Sequence, residues 1–262
     1  MRILVTGASR GIGAAICHHL AEQRPGDGGA PLRMALVASR PSAALNDTAA
    51  RLDASGAETQ ILTGDLADPA VPDRLVSDAL NVFGGLDALV LNAGIAPVDR
   101  LADLALEDWE RVMNVNLRAA WLMAKAAHPT LADARGQIVT IASMSGVNPQ
   151  PGLGAYSVSK AGLIMLTRLM AQEWAADGIR VNCVSPGMVL TPMTEDNYRD
   201  KDFRQQREAF CPIPRIADPE ADIAGVVAFL LSPKAGYMTG QNLLADGGLS
   251  DSILRLLPAR SA

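Results

Sequence analysis

Tyr156 and Lys160 stand four residues apart in Tyr156-Ser157-Val158-Ser159-Lys160, so on a helix they share one face. A phenol of ordinary pKa ~10 is a poor acid or base at neutral pH, and a fixed cation beside it favours the phenolate and brings it toward working range. A surface Tyr/Lys pair is the plain alternative for an isolated match, so the company the pair keeps matters. Ser143, thirteen residues before Tyr156, closes the run Gly136-Gln137-Ile138-Val139-Thr140-Ile141-Ala142, and Asn116 lies in Asn114-Val115-Asn116-Leu117. A second constellation is Thr6-Gly7-Ala8-Ser9-Arg10-Gly11-Ile12-Gly13. Its glycines allow a tight turn and close backbone approach, and a helix starting there offers free N–H groups and a positive dipole end to a pyrophosphate. The spacing is GxxxGxG rather than GxGxxG, so its placement between a strand and a helix carries the reading.

The elements that must position these groups follow from periodicity. Short aliphatic runs at about 2–6, 33–38, 58–63, 87–92, 136–142, 179–185 and 242–245 alternate with helical patterns at about 11–24, 42–55, 69–83, 106–132, 155–177 and 219–231. This alternation predicts an α/β fold, a Rossmann-like doubly wound parallel sheet of about seven strands with helices on both faces, with 1–262 as a single domain. The carboxyl ends of such strands border the ligand crevice, so Ser143 and the start of the Tyr156 helix fall on one edge. Residues 188–218 mix Pro192, Pro212 and Pro214 with Met193, Tyr198, Phe203, Phe210 and many charges, and read as a lid. With parts of that lid, Ala96, Met144, Val147, Asn148, Gln150 and Met188 are expected to line the substrate crevice. Pro25–Pro31 reads as a surface insertion. Helix 155–177 carries Ala161, Leu163, Ile164, Leu166, Leu169, Met170 and Trp174 on more than one face, which suits a deeply buried helix or one that also packs on a partner.

Composition narrows the function classes. A chain of 262 residues that is 49% hydrophobic and 19% charged can bury a sizeable core, which excludes disordered, collagen-like and coiled-coil classes. A net charge of −5 provides no global positive field for nucleic acid or an anionic membrane, leaving small molecules as the expected partners. Cys17, Cys183 and Cys211 form neither a CxxC pair nor metal-ligand spacing with His18, His19 or His128; they read as reduced and structural, with no metal. The Met1–Gly7 start lacks the features of a signal peptide, and no run reaches the ~18 apolar residues of a membrane span, so a cytoplasmic protein is expected.

These motifs, in this order, resemble the single-domain short-chain dehydrogenase/reductase family over nearly the whole chain. The resemblance rests on TGASRGIG, Asp65 after the third strand, Asn92-Ala93-Gly94 after the fourth, Asn116, Ser143, Tyr156, Lys160, Pro186-Gly187 after the sixth, and Gly240 through Gly248 around the last. It implies hydride transfer between a nicotinamide and a carbonyl or secondary alcohol, with a 3-oxoacyl thioester as one candidate. Tyr156 would be the general acid in reduction and the base in oxidation. Ser143 would hydrogen-bond the substrate oxygen, Lys160 would bind the nicotinamide ribose and lower the Tyr156 pKa, and Asn116 would help hold a proton-relaying water. Gly7, Ser9, Arg10, Gly11, Ile12 and Gly13 would meet the cofactor, as would Asp65 and Leu66 at the adenine and Asn92, Ala93 and Gly94 at the ribose region. Pro186, Gly187 and Thr191 would lie on the nicotinamide side, and Ser143, Asn148, Gln150, Tyr156 and Met188 would face the substrate. A homo-oligomer, tetramer or dimer, through the Tyr156 helix and the last strand is also implied. The chain departs from the family in having Leu91 where an asparagine is usual, and in the length of the Pro25–Pro31 loop.

The cofactor choice is written at the end of the second strand, Val37-Ala38-Ser39-Arg40. An NAD site usually carries a carboxylate there to accept hydrogen bonds from the ribose hydroxyls, and none is present. Arg40 and Ser39 can instead meet a 2′-phosphate, and Arg10 converges on the same anion, so NADP(H) is expected. A non-catalytic dinucleotide-sensing regulator on the same fold is the alternative, but it would have no need of a Tyr/Lys pair aligned with a strand-end Ser. A serine hydrolase fails because Ser143 has no GxSxG elbow and no histidine falls in the required order.

Overall fold

Seven short runs dominated by Val, Ile, Leu and Ala form the strands β1 (Arg2–Thr6), β2 (Arg33–Ala38), β3 (Glu58–Thr63), β4 (Ala88–Leu91), β5 (Gln137–Ile141), β6 (Arg180–Pro186) and β7 (Asn242–Ala245). The structure is a computed structural model that describes residues 1–23 and 31–252; of the Pro25–Pro31 loop, all but Pro31 lies outside them. The strands pair in parallel in the order β3-β2-β1-β4-β5-β6-β7. Parallel strands need crossovers, and the helices that provide them cover both faces, which is why the strands read as nearly continuous apolar runs.

Alternate residues of each strand serve opposite layers. Ile3, Val5, Met34, Leu36, Val90, Val139 and Ile141 pack with α1 (Gly11–Glu22), α2 (Ala43–Ala54) and α8 (Gly225–Leu231). Leu4, Ala35, Val37, Leu89, Leu91, Ile138 and Val181 pack with α3 (Val71–Phe83), α5 (Ala119–Ala134) and α6 (Gly154–Glu173). A one-residue slip of any central strand would exchange these two sets, so the register is strongly specified.

Two expectations change. The helix foreseen over 106–132 is α4 (Leu106–Met113), a five-residue π-helical turn Asn114–Arg118, and then α5. The π turn carries Asn116 inward, where it is 1% exposed; π turns inside helices are rare and favour functional sites. The 188–218 segment is not irregular throughout, since it holds a short turn at Glu195–Tyr198 and α7 (Lys201–Phe210). The Asp200 carboxylate accepts hydrogen bonds from the Asp202 and Phe203 N–H groups and so caps α7.

Candidate active site

The chain reverses its direction of travel across the sheet between the neighbours β1 and β4, which opens a crevice at their carboxyl ends. Thr6 ties those two ends together. Its hydroxyl accepts the N–H groups of Asn92 at 2.9 Å and Ala93 at 3.0 Å and donates to the Val90 carbonyl, while Asn92 Nδ2 donates to the Thr6 carbonyl at 2.9 Å. Gly7 (φ +68) and Gly11 (φ +59) occupy left-handed backbone that other residues adopt at a cost. A Cβ on Gly13 would fall 2.1 Å from the Gly7 carbonyl oxygen, so only glycine lets the start of α1 pack against its own loop.

The resulting cleft encloses about 350 Å³, the size range of small-molecule sites. Gly7, Ser9, Arg10, Gly11 and Ile12 line it from the loop, and Ser39 from the end of β2. Asp65 and Leu66 line it after β3, Asn92, Ala93 and Gly94 after β4, Tyr156 and Lys160 from α6, and Thr191 after β6. These residues fit a dinucleotide on the structure's own terms: a glycine cradle meets a helix N-terminus, and the cation Arg10 faces the same space.

Several expected residues lie elsewhere. Gly13 is buried beneath the loop, and Arg40 is exposed beside the cleft without lining it. Pro186 ends β6, and Gly187 serves close packing there, because a Cβ on it would meet the Asp246 backbone at 2.7 Å. Met188 is buried with Tyr198, Cys211 and Ile216 in the lid's own small core, away from the cleft wall. Gln150 Oε1 accepts a hydrogen bond from Ser145 Oγ at 3.0 Å, and Asn148 Nδ2 donates to the Ser250 carbonyl at 3.4 Å; neither lines the cleft. Pro192 and Met193 of the 188–218 segment line it, as expected of parts of the lid, whereas Arg111, Val115, Ile141 and Ala142 line it and were not foreseen, nor were Val37, Ala38 and Ile95. Arg111 holds Asp65 Oδ2 with both terminal nitrogens at 3.2 Å. A signal was available only for Val115, which stands next to Asn116 in the sequence.

Around Tyr156 the catalytic candidates converge. Ser143 Oγ accepts the Ser145 N–H at 3.1 Å, and the Ser143 side chain favours the phenolate form of Tyr156. Lys160, 3% exposed, donates to the Ile141 carbonyl at 2.8 Å, and its Nζ lies 5.7 Å from the centre of the Tyr156 ring. Burial pushes Lys160 down to about 8, partly opposed by the nearby Cys183 thiol. Burial also pushes Tyr156 up, against that influence of Ser143. That corrects the expectation of a phenol lowered by Lys160, because loss of solvent outweighs the other influences on the phenol here. Asn116 Oδ1 accepts the Ile95 N–H at 2.9 Å, and its Nδ2 donates to the Ile95 carbonyl at 2.9 Å and to Ser159 Oγ at 3.0 Å. Its side chain therefore staples the turn after β4 to α6, with both amide hydrogens in use. Cys17, Cys183 and Cys211 are all buried. Among the described residues no cluster of His, Cys, Asp or Glu could hold a metal ion, and no helix is long and apolar enough to cross a membrane.

Known proteins are similar to this chain over most of its length. The family described as enoyl-(acyl carrier protein) reductase matches residues 7–250. The rabbit (Oryctolagus cuniculus) dehydrogenase/reductase SDR family member 4 is 36% identical over 94% of this chain and 92% of its own length. A 3-oxoacyl-[acyl-carrier-protein] reductase of Synechocystis is 36% identical over 94% of this chain and 95% of its own. A solved Agrobacterium tumefaciens structure with bound NADP, provisionally described as a 2-deoxy-d-gluconate 3-dehydrogenase, superposes with a TM-score of 0.83 at 34% identity. That match covers 94% of this chain and 95% of the other. The chain belongs to the short-chain dehydrogenase/reductase family. It is an oxidoreductase of the class that interconverts CH–OH and C=O with a nicotinamide dinucleotide.

Proposed function

We propose that the protein is an NADP(H)-dependent reductase of small carbonyl compounds, reversible toward secondary alcohols, with 3-oxoacyl thioesters among the substrates that suit it. The observation that carries this reading is Tyr156 and buried Lys160 together on the cleft wall, the Lys160 Nζ 5.7 Å from the Tyr156 ring centre. The nicotinamide, when bound, supplies the hydride in reduction and takes it in oxidation. Tyr156 gives the proton to the substrate oxygen, and a phenol held protonated by burial suits that direction at neutral pH. Ser143 spends a lone pair on the Ser145 N–H; while Tyr156 is protonated its hydroxyl hydrogen serves the substrate oxygen, and once that proton has been given it can turn to the phenolate. Lys160 binds the ribose, and Asn116 holds in place the turn and helix through which the proton is replaced. The 188–218 lid shapes the substrate side, with Pro192 and Met193 on the cleft wall.

Support for NADP over NAD comes from the end of β2, where Ser39 lines the cleft opposite a loop bearing Arg10, with no carboxylate at that strand end. The NADP-bound Agrobacterium relative agrees with it. The reading includes a cytoplasmic homo-oligomer, tetramer or dimer. Val158, Met165 and Leu169 on α6 are each more than two-fifths exposed, as is Trp121 on α5, an apolar stripe suited to a partner copy. Light scattering at micromolar protein is expected to give a dimer or tetramer, and a monomer rejects that part. The activity itself is tested by NADPH consumption against a panel of ketones, sugars and 3-oxoacyl thioesters. Binding of NADPH without turnover of any of them would favour a dinucleotide-sensing role instead.

A further inference from the structure

The stretch from Ser143 to Tyr156, which carries the two hydroxyls proposed to meet the substrate oxygen, contains no charged side chain. Its neighbours are largely apolar. Ile95, Ile141, Ala142, Pro192 and Met193 line the cleft. The Asp99 N–H donates to the Gly152 carbonyl at 3.0 Å, and Asp99 bridges to Leu153, which seats residues 98–101 beside the start of α6. Val98 and Leu101 there are 77% and 69% exposed, and Val147 and Met193 are also exposed.

Among the described residues that line the cleft, the cations are Arg10, Arg111 and Lys160. Asp65 balances Arg111 at 3.2 Å, and Lys160 is buried and donates to the Ile141 carbonyl. Arg10 stands on the glycine loop, where the function proposed above gives it to the cofactor phosphate. On the lid, Arg199 pairs with Asp196, Arg204 with Glu208 and Arg215 with Asp222, while Arg207 lies over the Phe203 ring. Lys201 opens α7, and Arg100 stands between Asp99 and Asp103 in the sequence. A carboxylate entering beside Tyr156 would therefore give up its water with no free cation on the cleft wall to replace it, a cost that an ester of the same skeleton does not meet.

We propose that the site takes carbonyl compounds that are neutral and apolar around the reacting C=O, and that a carboxylate carried close to that carbonyl bars a compound from it. This selection rests on the reductase function proposed above. It separates neutral ketones, oxo esters and oxo thioesters, which are accepted, from oxo acid anions, which are not.

The test compares kcat/KM with NADPH for pairs of an oxo acid and its methyl ester: 3-oxobutanoate, 4-oxopentanoate and 4-acetylbenzoate. At pH 7.5 the ester is expected to lead by at least about tenfold in every pair that is reduced at all. Between pH 7.5 and 5.5 the neutral fraction of an acid of ordinary pKa ~4 rises about a hundredfold, so the acid-to-ester ratio is expected to rise at least about tenfold. The enzyme's own pH dependence is common to both members and cancels. Met193→Lys, which puts a cation on the cleft wall, is expected to raise the acid relative to its ester at least about threefold, whereas Met193→Gln leaves the ratio where it was. An acid reduced as readily as its ester, a ratio that stays flat with pH, or a Lys variant no different from Gln overturns the proposal. If Met193→Lys does not fold, the pH series on the wild-type protein decides alone. Binding of NADPH without reduction of any ester or acid removes instead the reductase reading beneath it.

Discussion

Tyr156→Phe is expected to lower turnover by at least the ~10²–10⁴ that a positioned general acid contributes. The ring stays packed against Lys160 and at the end of β5, so the cleft keeps its shape, and only the phenol with its transferable proton is lost. Dinucleotide affinity should change by no more than about threefold, because the phenol adds at most one ordinary hydrogen bond to binding. The separation of the two effects is the informative part. A lost rate with retained binding identifies a proton donor used in the transition state, whereas parallel losses would describe a residue that merely holds the cofactor. Steady-state kinetics with NADPH and any accepted carbonyl, beside a direct binding measurement, decides it; near-normal turnover of the Phe variant would sink the assignment.

Cofactor preference carries the second large effect. Ser39→Asp places a carboxylate on the cleft wall at the position where NAD sites usually carry one, and it would repel a 2′-phosphate while accepting hydrogen bonds from ribose hydroxyls. The ratio of kcat/KM for NADPH over NADH should fall by roughly ten- to a hundredfold, combining a loss on one cofactor with a gain on the other. Arg40→Asp should act in the same direction but more weakly, because Arg40 is exposed and off the cleft wall, where solvent screens its charge to about 0.2–1 kcal/mol. Equal kcat/KM for the two cofactors in the unmodified protein, or no selective change in the Ser39 variant, would contradict the assignment.

The strands could be read from the sequence because both faces of the sheet are covered, which leaves runs such as Ile3-Leu4-Val5 and Ala88-Leu89-Val90-Leu91 apolar at every position. The glycine loop and the Ser143, Tyr156 and Lys160 set were legible for a related reason: each is bound to a strand end or a helix start, which are the sequence's clearest boundaries. Features that depend on partners distant in the chain were not legible. Arg111 lines the cleft through its pairing with Asp65, 46 residues away, and a lone arginine in a helical pattern gives no sign of that. The π turn at Asn114–Arg118 changes the hydrogen-bond register without any glycine or proline to mark it. Within the lid, the prolines obscured α7, although Asp200 as a cap and the Arg204–Glu208 pair one turn apart were both present. Met188 shows the limit from the other side: its position after Pro186-Gly187 matched a substrate-facing residue, yet Tyr198, Cys211 and Ile216 enclose it.

The central claim is hydride transfer at the Tyr156 cleft, and it is tested most directly by isotope. The protein is incubated with NADPH deuterated at the transferable C4 position and with a carbonyl panel that includes a 3-oxoacyl thioester, and the alcohols formed are examined by mass spectrometry. Deuterium is expected at the carbinol carbon of at least one product with the wild-type protein, and to be nearly absent with Tyr156→Phe. Binding of the deuterated cofactor with no deuterium in any product, or equal incorporation by the two proteins, would contradict the account.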